Sequence, residues 1–120
     1  MDCLFCKIIN NEIPSYKLYE DDYVLAFLDI NPDSNGHTLV IPKKHIKDIM
    51  DLDNESLNHI MDVCRIIKQR LEEKLNIDGL TLIQNNGEVQ EVKHYHLHLK
   101  PFYNEKQEIK DVKSIYEKLV

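Results

Sequence analysis

His94-Tyr95-His96-Leu97-His98-Leu99 sets three imidazoles at alternate positions of the chain. Successive side chains of a β-strand point to opposite faces, so residues 94, 96 and 98 share one face at a spacing of about 6.6 Å. Tyr95, Leu97 and Leu99 take the other face and supply apolar packing. Such a row is either a polar strand with an accidental histidine run or a built site. With only six histidines in 120 residues, the accident is uncommon and the built site is favoured.

Upstream of this strand, expected to run from Lys93 to Pro101, the only long helix is expected from Asn54 to Asn76. Asp53 is a natural N-cap, able to accept from the free amides of the first turn. Leu57, Ile60, Met61, Cys64, Ile67, Leu71 and Leu75 recur at three- and four-residue spacings and make one apolar stripe. Cys64 is therefore a core residue, whereas His59 lies off the stripe and reads as solvated. Leu80 to Gln84 is a fourth strand after Gly79. Ser15 to Tyr19 and Tyr23 to Leu28 form a hairpin about Asp21-Asp22, and His37 to Ile41 is a third strand closed by Pro42, which lacks a donor. Leu4 to Asn10 is a short helix ended by the Asn10–Pro14 stretch. Ile109, Val112, Ile115, Tyr116 and Leu119 predict a C-terminal helix. The fold class is α+β, about five mostly antiparallel strands with one long helix, a short N-terminal helix and a C-terminal helix.

The 120 residues, 42 % apolar, suit one modest core, so residues 1–120 are read as one domain. Its core is expected over about 3–102, with a C-terminal helical extension over about 105–119. A formal net charge of −6 gives no basic footprint for nucleic acid, although a local phosphate site remains compatible with it. Three cysteines are too few for a disulfide framework. No apolar run reaches membrane-spanning length and no signal sequence is apparent. Cytoplasmic residence with reduced thiols is the expectation.

Gly36-His37-Thr38-Leu39-Val40-Ile41-Pro42-Lys43-Lys44-His45 precedes the long helix. Gln84-Asn85-Asn86-Gly87 and Gln90-Glu91-Val92-Lys93-His94-Tyr95-His96-Leu97-His98 follow it. Taken together over about residues 3–102, these segments resemble the histidine triad (HIT) family of nucleotide-binding proteins, in particular its bacterial Hint-type branch. The resemblance implies the HIT fold and a nucleotide hydrolase or transferase of the purine nucleoside phosphoramidase type. Its substrate would be a purine nucleotide or nucleoside monophosphate derivative.

A neutral imidazole is a competent nucleophile towards phosphorus, since its ordinary pKa is about 6.5. The resemblance implies that His96 attacks the α-phosphorus and forms a nucleotidyl-histidine, that His98 holds phosphate oxygens, and that His37 orders the triad from behind. It implies that Asp29 accepts from ribose hydroxyls and that Asn85 and Gln90 lie near the phosphate. Leu4, Phe5, Ile8, Phe27, Ile30 and Leu39 map onto walls that sandwich the base, although they also fit plain core. The resemblance further implies a homodimer through the long helix and the Leu80–Gln84 strand. Two departures stand out. Only Glu88 and Val89 separate Gly87 from Gln90, where the family often has a longer loop. Glu91 stands where the eukaryotic branch has a serine near the leaving group, and an ionised carboxylate cannot donate a proton.

Cys3-Leu4-Phe5-Cys6 could be a redox pair or a chance pair. A tetrahedral zinc site would need two more nitrogen or sulfur ligands. Zinc-bearing HIT relatives suggest His45 and His94, which would make Cys3, Cys6, His45 and His94 a structural Zn²⁺ site. Three other readings remain at this stage: a dinucleoside polyphosphate hydrolase, a non-catalytic nucleotide-binding regulatory module, and a zinc-binding structural protein.

Overall fold

The computed structural model describes residues 3–120. Five strands, β1 (Lys17–Glu20), β2 (Val24–Leu28), β3 (Thr38–Pro42), β4 (Gly79–Gln84) and β5 (Leu97–Phe102), form one antiparallel sheet in the order β1-β2-β3-β5-β4. Three helices accompany it, α1 (Leu4–Ile9), α2 (Asn54–Leu75) and α3 (Val112–Leu119). The α+β expectation and the long helix are borne out.

Strand alternation divides the core into two layers. Val24, Ala26, Leu28, Val40, Leu97 and Leu99 face α2 and pack with Ile60, Val63, Cys64, Ile67 and Leu71; Ile115 and Leu119 of α3 join them. Leu25, Phe27, Leu39 and Ile41 face the other way and pack under Cys3, Phe5 and Ile8 at the N-terminal end. Because β2 and β3 are covered on both sides, all their residues are buried and neither shows a polar alternation. Asp53 caps α2 as expected, its carboxylate accepting from the Ser56 amide at 3.3 Å.

Four expectations change. The histidine strand begins at Leu97, not Lys93. Continuing the β3–β5 register past Val40↔Leu97 would set Tyr95 opposite Pro42, which has no N–H for the ladder. The Tyr95 amide donates instead to the Ile46 carbonyl at 2.6 Å. The C-terminal helix starts at Val112, and Ile109 lies outside it, half-exposed. Val63 also belongs to the buried stripe of α2, three residues after Ile60 and four before Ile67, so the same spacing includes it. His59 is not merely solvated. Its Nε2 lies 2.6 Å from Asp21 Oδ2 and ties α2 to the β1–β2 turn.

Candidate active site

His94 and His96 precede β5, yet the alternation of faces survives the loss of regular strand. Tyr95 enters the α2 layer, whereas the rings of His94 and His96 meet Phe5 of α1 edge-on at centroid distances of 5.9 and 5.0 Å. His98 follows on β5, its ring 5.0 Å from that of His96.

Each ring is held by a partner that fixes its proton. The Nδ1 of His96 lies 2.7 Å from the His94 carbonyl, which can only accept, so the proton sits on Nδ1 and Nε2 keeps its lone pair. His37 Nδ1 accepts from the Asp33 amide at 3.1 Å, which puts the proton of a neutral His37 on Nε2. That Nε2–H donates to His98 Nδ1 at 2.9 Å. Neutral His98 therefore carries its own proton on Nε2. Burial, with the His96 and His37 rings and Lys100 adding to it and Asp29 opposing, pushes His98 down to about 4. Burial likewise lowers His37, against the opposing pull of Asp29 and Asp33. Both rings are neutral near pH 7.

A cavity of about 190 Å³ opens beside these rings. It brings together His96, His98 and Asp29 with Phe5, Ile8, Phe27, Ile30 and Leu39, and also with Leu4. Asp29 Oδ1 accepts from the Asn31 amide at 2.8 Å, and Oδ2 lies 3.6 Å from His37 Nε2. His37 stands behind His98 and reaches the cavity only through that ring. Asn85 and Gln90 do not line this cavity. Buried Gln90 donates to the Lys47 carbonyl at 2.6 Å, while its Oε1 finds no partner. Glu91, Val92, Asn31, Ser15 and the Ile13-Pro14 pair line the cavity too. Apart from Glu91, no motif pointed to them. A larger cleft of about 370 Å³ between the ends of α2 and α3 contains no histidine or thiol.

The second cluster is Cys3, Cys6, His45 and His94, whose ligand atoms all lie within 4.8 Å of one another. His94 Nε2 donates to the Pro42 carbonyl at 2.8 Å, leaving Nδ1 bare. This Nδ1 faces Cys3 Sγ at 3.4 Å and Cys6 Sγ at 3.6 Å, and His45 Nδ1 lies 3.4 Å from Cys6 Sγ. A tetrahedral ion with sulfur at about 2.3 Å and nitrogen at about 2.05 Å would separate them by about 3.5 Å. The donor set fits. The carbonyl behind His94 is the outer partner that orients a ligating imidazole. Asp29, His37 and His98 also cluster within 4.8 Å. There the Asp33 amide puts a proton on the His37 nitrogen that would have to ligate, so that set does not fit a metal.

The HIT domain family profile matches residues 10–105. An uncharacterised HIT-like protein of Methanocaldococcus jannaschii is 50 % identical over 104 residues, covering 84 % of this chain and 79 % of that one. The adenosine 5'-monophosphoramidase of Saccharomyces cerevisiae is 45 % identical over 106 residues, covering 87 % of this chain and 65 % of the yeast enzyme. A Zn-bound histidine triad family protein from Mycobacterium smegmatis superposes with a TM-score of 0.90 at 35 % identity, over 99 % of this chain and 91 % of that one.

Proposed function

The chain belongs to the HIT domain family, and from that premise we propose that it hydrolyses nucleoside monophosphate derivatives at the α-phosphorus through a nucleotidyl intermediate on His96. One observation carries the reading: the His94 carbonyl holds the His96 proton on Nδ1 and leaves Nε2 basic. The Nε2 lone pair forms the N–P bond while the bond from phosphorus to the leaving group breaks. The ring becomes cationic as it does so, and the carbonyl 2.7 Å from Nδ1 stabilises that charge. His98 offers its Nε2–H to a phosphate oxygen. An amine leaving group takes its proton from water and leaves hydroxide; a second water cleaves the N–P bond and gives up the proton that neutralises this hydroxide, releasing the nucleoside monophosphate and neutral His96. The apolar walls take the base, with a purine favoured by the yeast relative's named substrate, and Asp29 takes the ribose.

The leaving group is read from charge. Among the described residues, Asp29 and Glu91 are the carboxylates at the cavity, His98 is neutral, and no lysine or arginine lines it. A polyphosphate leaving group would find no cation there. An amine faces Glu91, an acceptor. The phosphoramidase reading is therefore preferred over dinucleoside polyphosphate hydrolysis.

Zinc fits Cys3, Cys6, His45 and His94 with all four positions filled by protein, as in a structural site. When bound it would pin the N-terminal turn to the segment that carries His96, and it would leave His94 without an acid–base role. Three free thiols suit a reducing compartment such as the cytoplasm. β4 is an edge strand with Thr81 and Leu82 exposed, and we infer that a second copy pairs there to form a homodimer.

Steady-state turnover of adenosine phosphoramidate and diadenosine tetraphosphate tests the reading. A higher kcat/KM for the phosphoramidate is expected. The opposite order would overturn the leaving-group assignment, and binding without turnover of either would make the chain a nucleotide-binding module.

A further inference from the structure

Asn35 is a buried polar residue, 4 % exposed, that does not line the 190 Å³ cavity and makes no hydrogen bond to a histidine of the triad; it lies instead on the wall of the larger cleft between α2 and α3. All its hydrogen bonds run to the chain between β5 and α3. Its Oδ1 accepts from the Lys110 amide at 2.8 Å, and its Nδ2 donates to the Glu108 carbonyl at 2.9 Å and Gln107 Oε1 at 3.3 Å. Its own carbonyl accepts from the Tyr103 hydroxyl at 2.7 Å. One side chain and one carbonyl thus gather a strap formed by residues 103–110.

The loop holding Asn35 also sets the protons of the catalytic rings. The His37 amide donates to the Ser34 carbonyl at 3.1 Å and closes a tight turn through Gly36, whose φ is +93°. This closure brings the Asp33 amide to His37 Nδ1. On one side the turn is pressed onto the core, since a Cβ at Gly36 would meet Leu71 and Leu75 at 2.9 Å. The strap covers the other side. The Lys100–Asp33 ion pair at 2.7 Å is a second tether, but it holds the Asp33 carboxylate and not its amide.

We propose that Asn35 is a positioning residue, through which the 103–110 strap holds the Asp33 amide against His37 and thereby fixes the His37 and His98 tautomers. The consequence for turnover rests on the functional reading above; the tautomers themselves do not. With Asn35 released, the Asp33 amide leaves His37 Nδ1, and the proton of neutral His37 is free to occupy either nitrogen. When it sits on Nδ1, His37 Nε2 becomes an acceptor. His98 must then donate to it from Nδ1, and its Nε2 loses the proton that would meet the phosphate.

The test is long-range ¹H–¹⁵N correlation on histidine-labelled full-length protein, with kcat and KM measured in parallel. Wild type is expected to show His37 and His98 each protonated on Nε2. In Asn35→Ala both rings should become mixtures, with kcat down at least about tenfold and KM within twofold, because a misplaced imidazole proton disables a catalytic histidine while leaving substrate contacts in place. A residue that only anchors the strap would lower stability and leave both tautomers alone; that result in folded Asn35→Ala overturns the proposal. Should Asn35→Ala fail to fold, the double variant Tyr103→Phe, Gln107→Ala removes two strap bonds and keeps Asn35. Partial mixing supports the proposal there, and unchanged tautomers overturn it. Tautomers that shift in a protein with no wild-type turnover would sink the functional reading alone.

Discussion

Removing the Asp29 carboxylate should cost affinity only through the sugar. Asp29 Oδ1 is engaged by the Asn31 amide, so Oδ2 supplies most of the free acceptor capacity for two ribose hydroxyls. A hydrogen bond to a charged acceptor contributes about 1.5–3 kcal/mol. The side chain is 19 % exposed and one oxygen is shared, so about 2–3 kcal/mol for the pair is the reasoned value. That corresponds to about a 30- to 150-fold rise in Kd. Calorimetric titration of wild type and Asp29→Ala with adenosine monophosphate and its 2',3'-dideoxy analogue forms a double-mutant cycle. The ribose nucleotide should lose the full factor, and the dideoxy nucleotide less than about threefold. Asp29→Asn, which retains an oxygen for the Asn31 amide, controls for collapse of the turn. Equal losses for the two nucleotides would refute the ribose assignment.

Acid should weaken the Asp21 junction between α2 and the hairpin. Burial opposes ionisation there, but hydrogen bonds from His59, Tyr19 and the Tyr23 and Val24 amides outweigh it and hold the carboxyl well below the usual range. A depressed folded pKa means that its stabilisation is complete above the unfolded value of about 3.9 and fades as pH falls towards the folded one. Asp21→Asn should cost about 1–2 kcal/mol at pH 7, allowing for partial exposure, and measurably less at pH 2.5 in urea titrations, where part of the linkage is already lost. A gap independent of pH would contradict this. Metal analysis should find one zinc per chain in wild type and less than about 0.2 in Cys6→Ser. Chelation should lower the wild-type Tm by roughly 10 °C or more and leave the variant unmoved. Metal-free wild type with reduced cysteines and an unchanged Tm would leave Cys3 and Cys6 as plain thiols.

The parts of the molecule that were legible in advance are those written in side-chain periodicity. The α2 stripe and the alternation through His98 follow from repeats of 3.6 or 2 residues, and the Asp53 cap from a short carboxylate placed just ahead of that stripe. The parity of the triad held even where regular strand did not, because Tyr95 still had an apolar layer to enter. What remained hidden rests on backbone groups, which every residue carries alike. The His94 and Pro42 carbonyls and the Asp33 amide set the protons of His96, His94 and His37, and no motif announces them. The early end of the strand was readable only in hindsight of register, because Pro42 meets Tyr95 across the sheet and not along the chain. His59 and Asn35 look like surface residues in sequence, and tertiary partners 38 and more than 65 positions away decide otherwise.

The central claim is a covalent bond between His96 Nε2 and the α-phosphorus. Mass spectrometry of protein quenched in acid-free denaturant milliseconds after mixing with adenosine phosphoramidate tests it most directly, with peptide mapping to locate the label. An adenylyl group on His96, absent from His96→Ala, which in turn shows no turnover, is the predicted result. An adduct on any other residue, or wild-type turnover in His96→Ala, would contradict it.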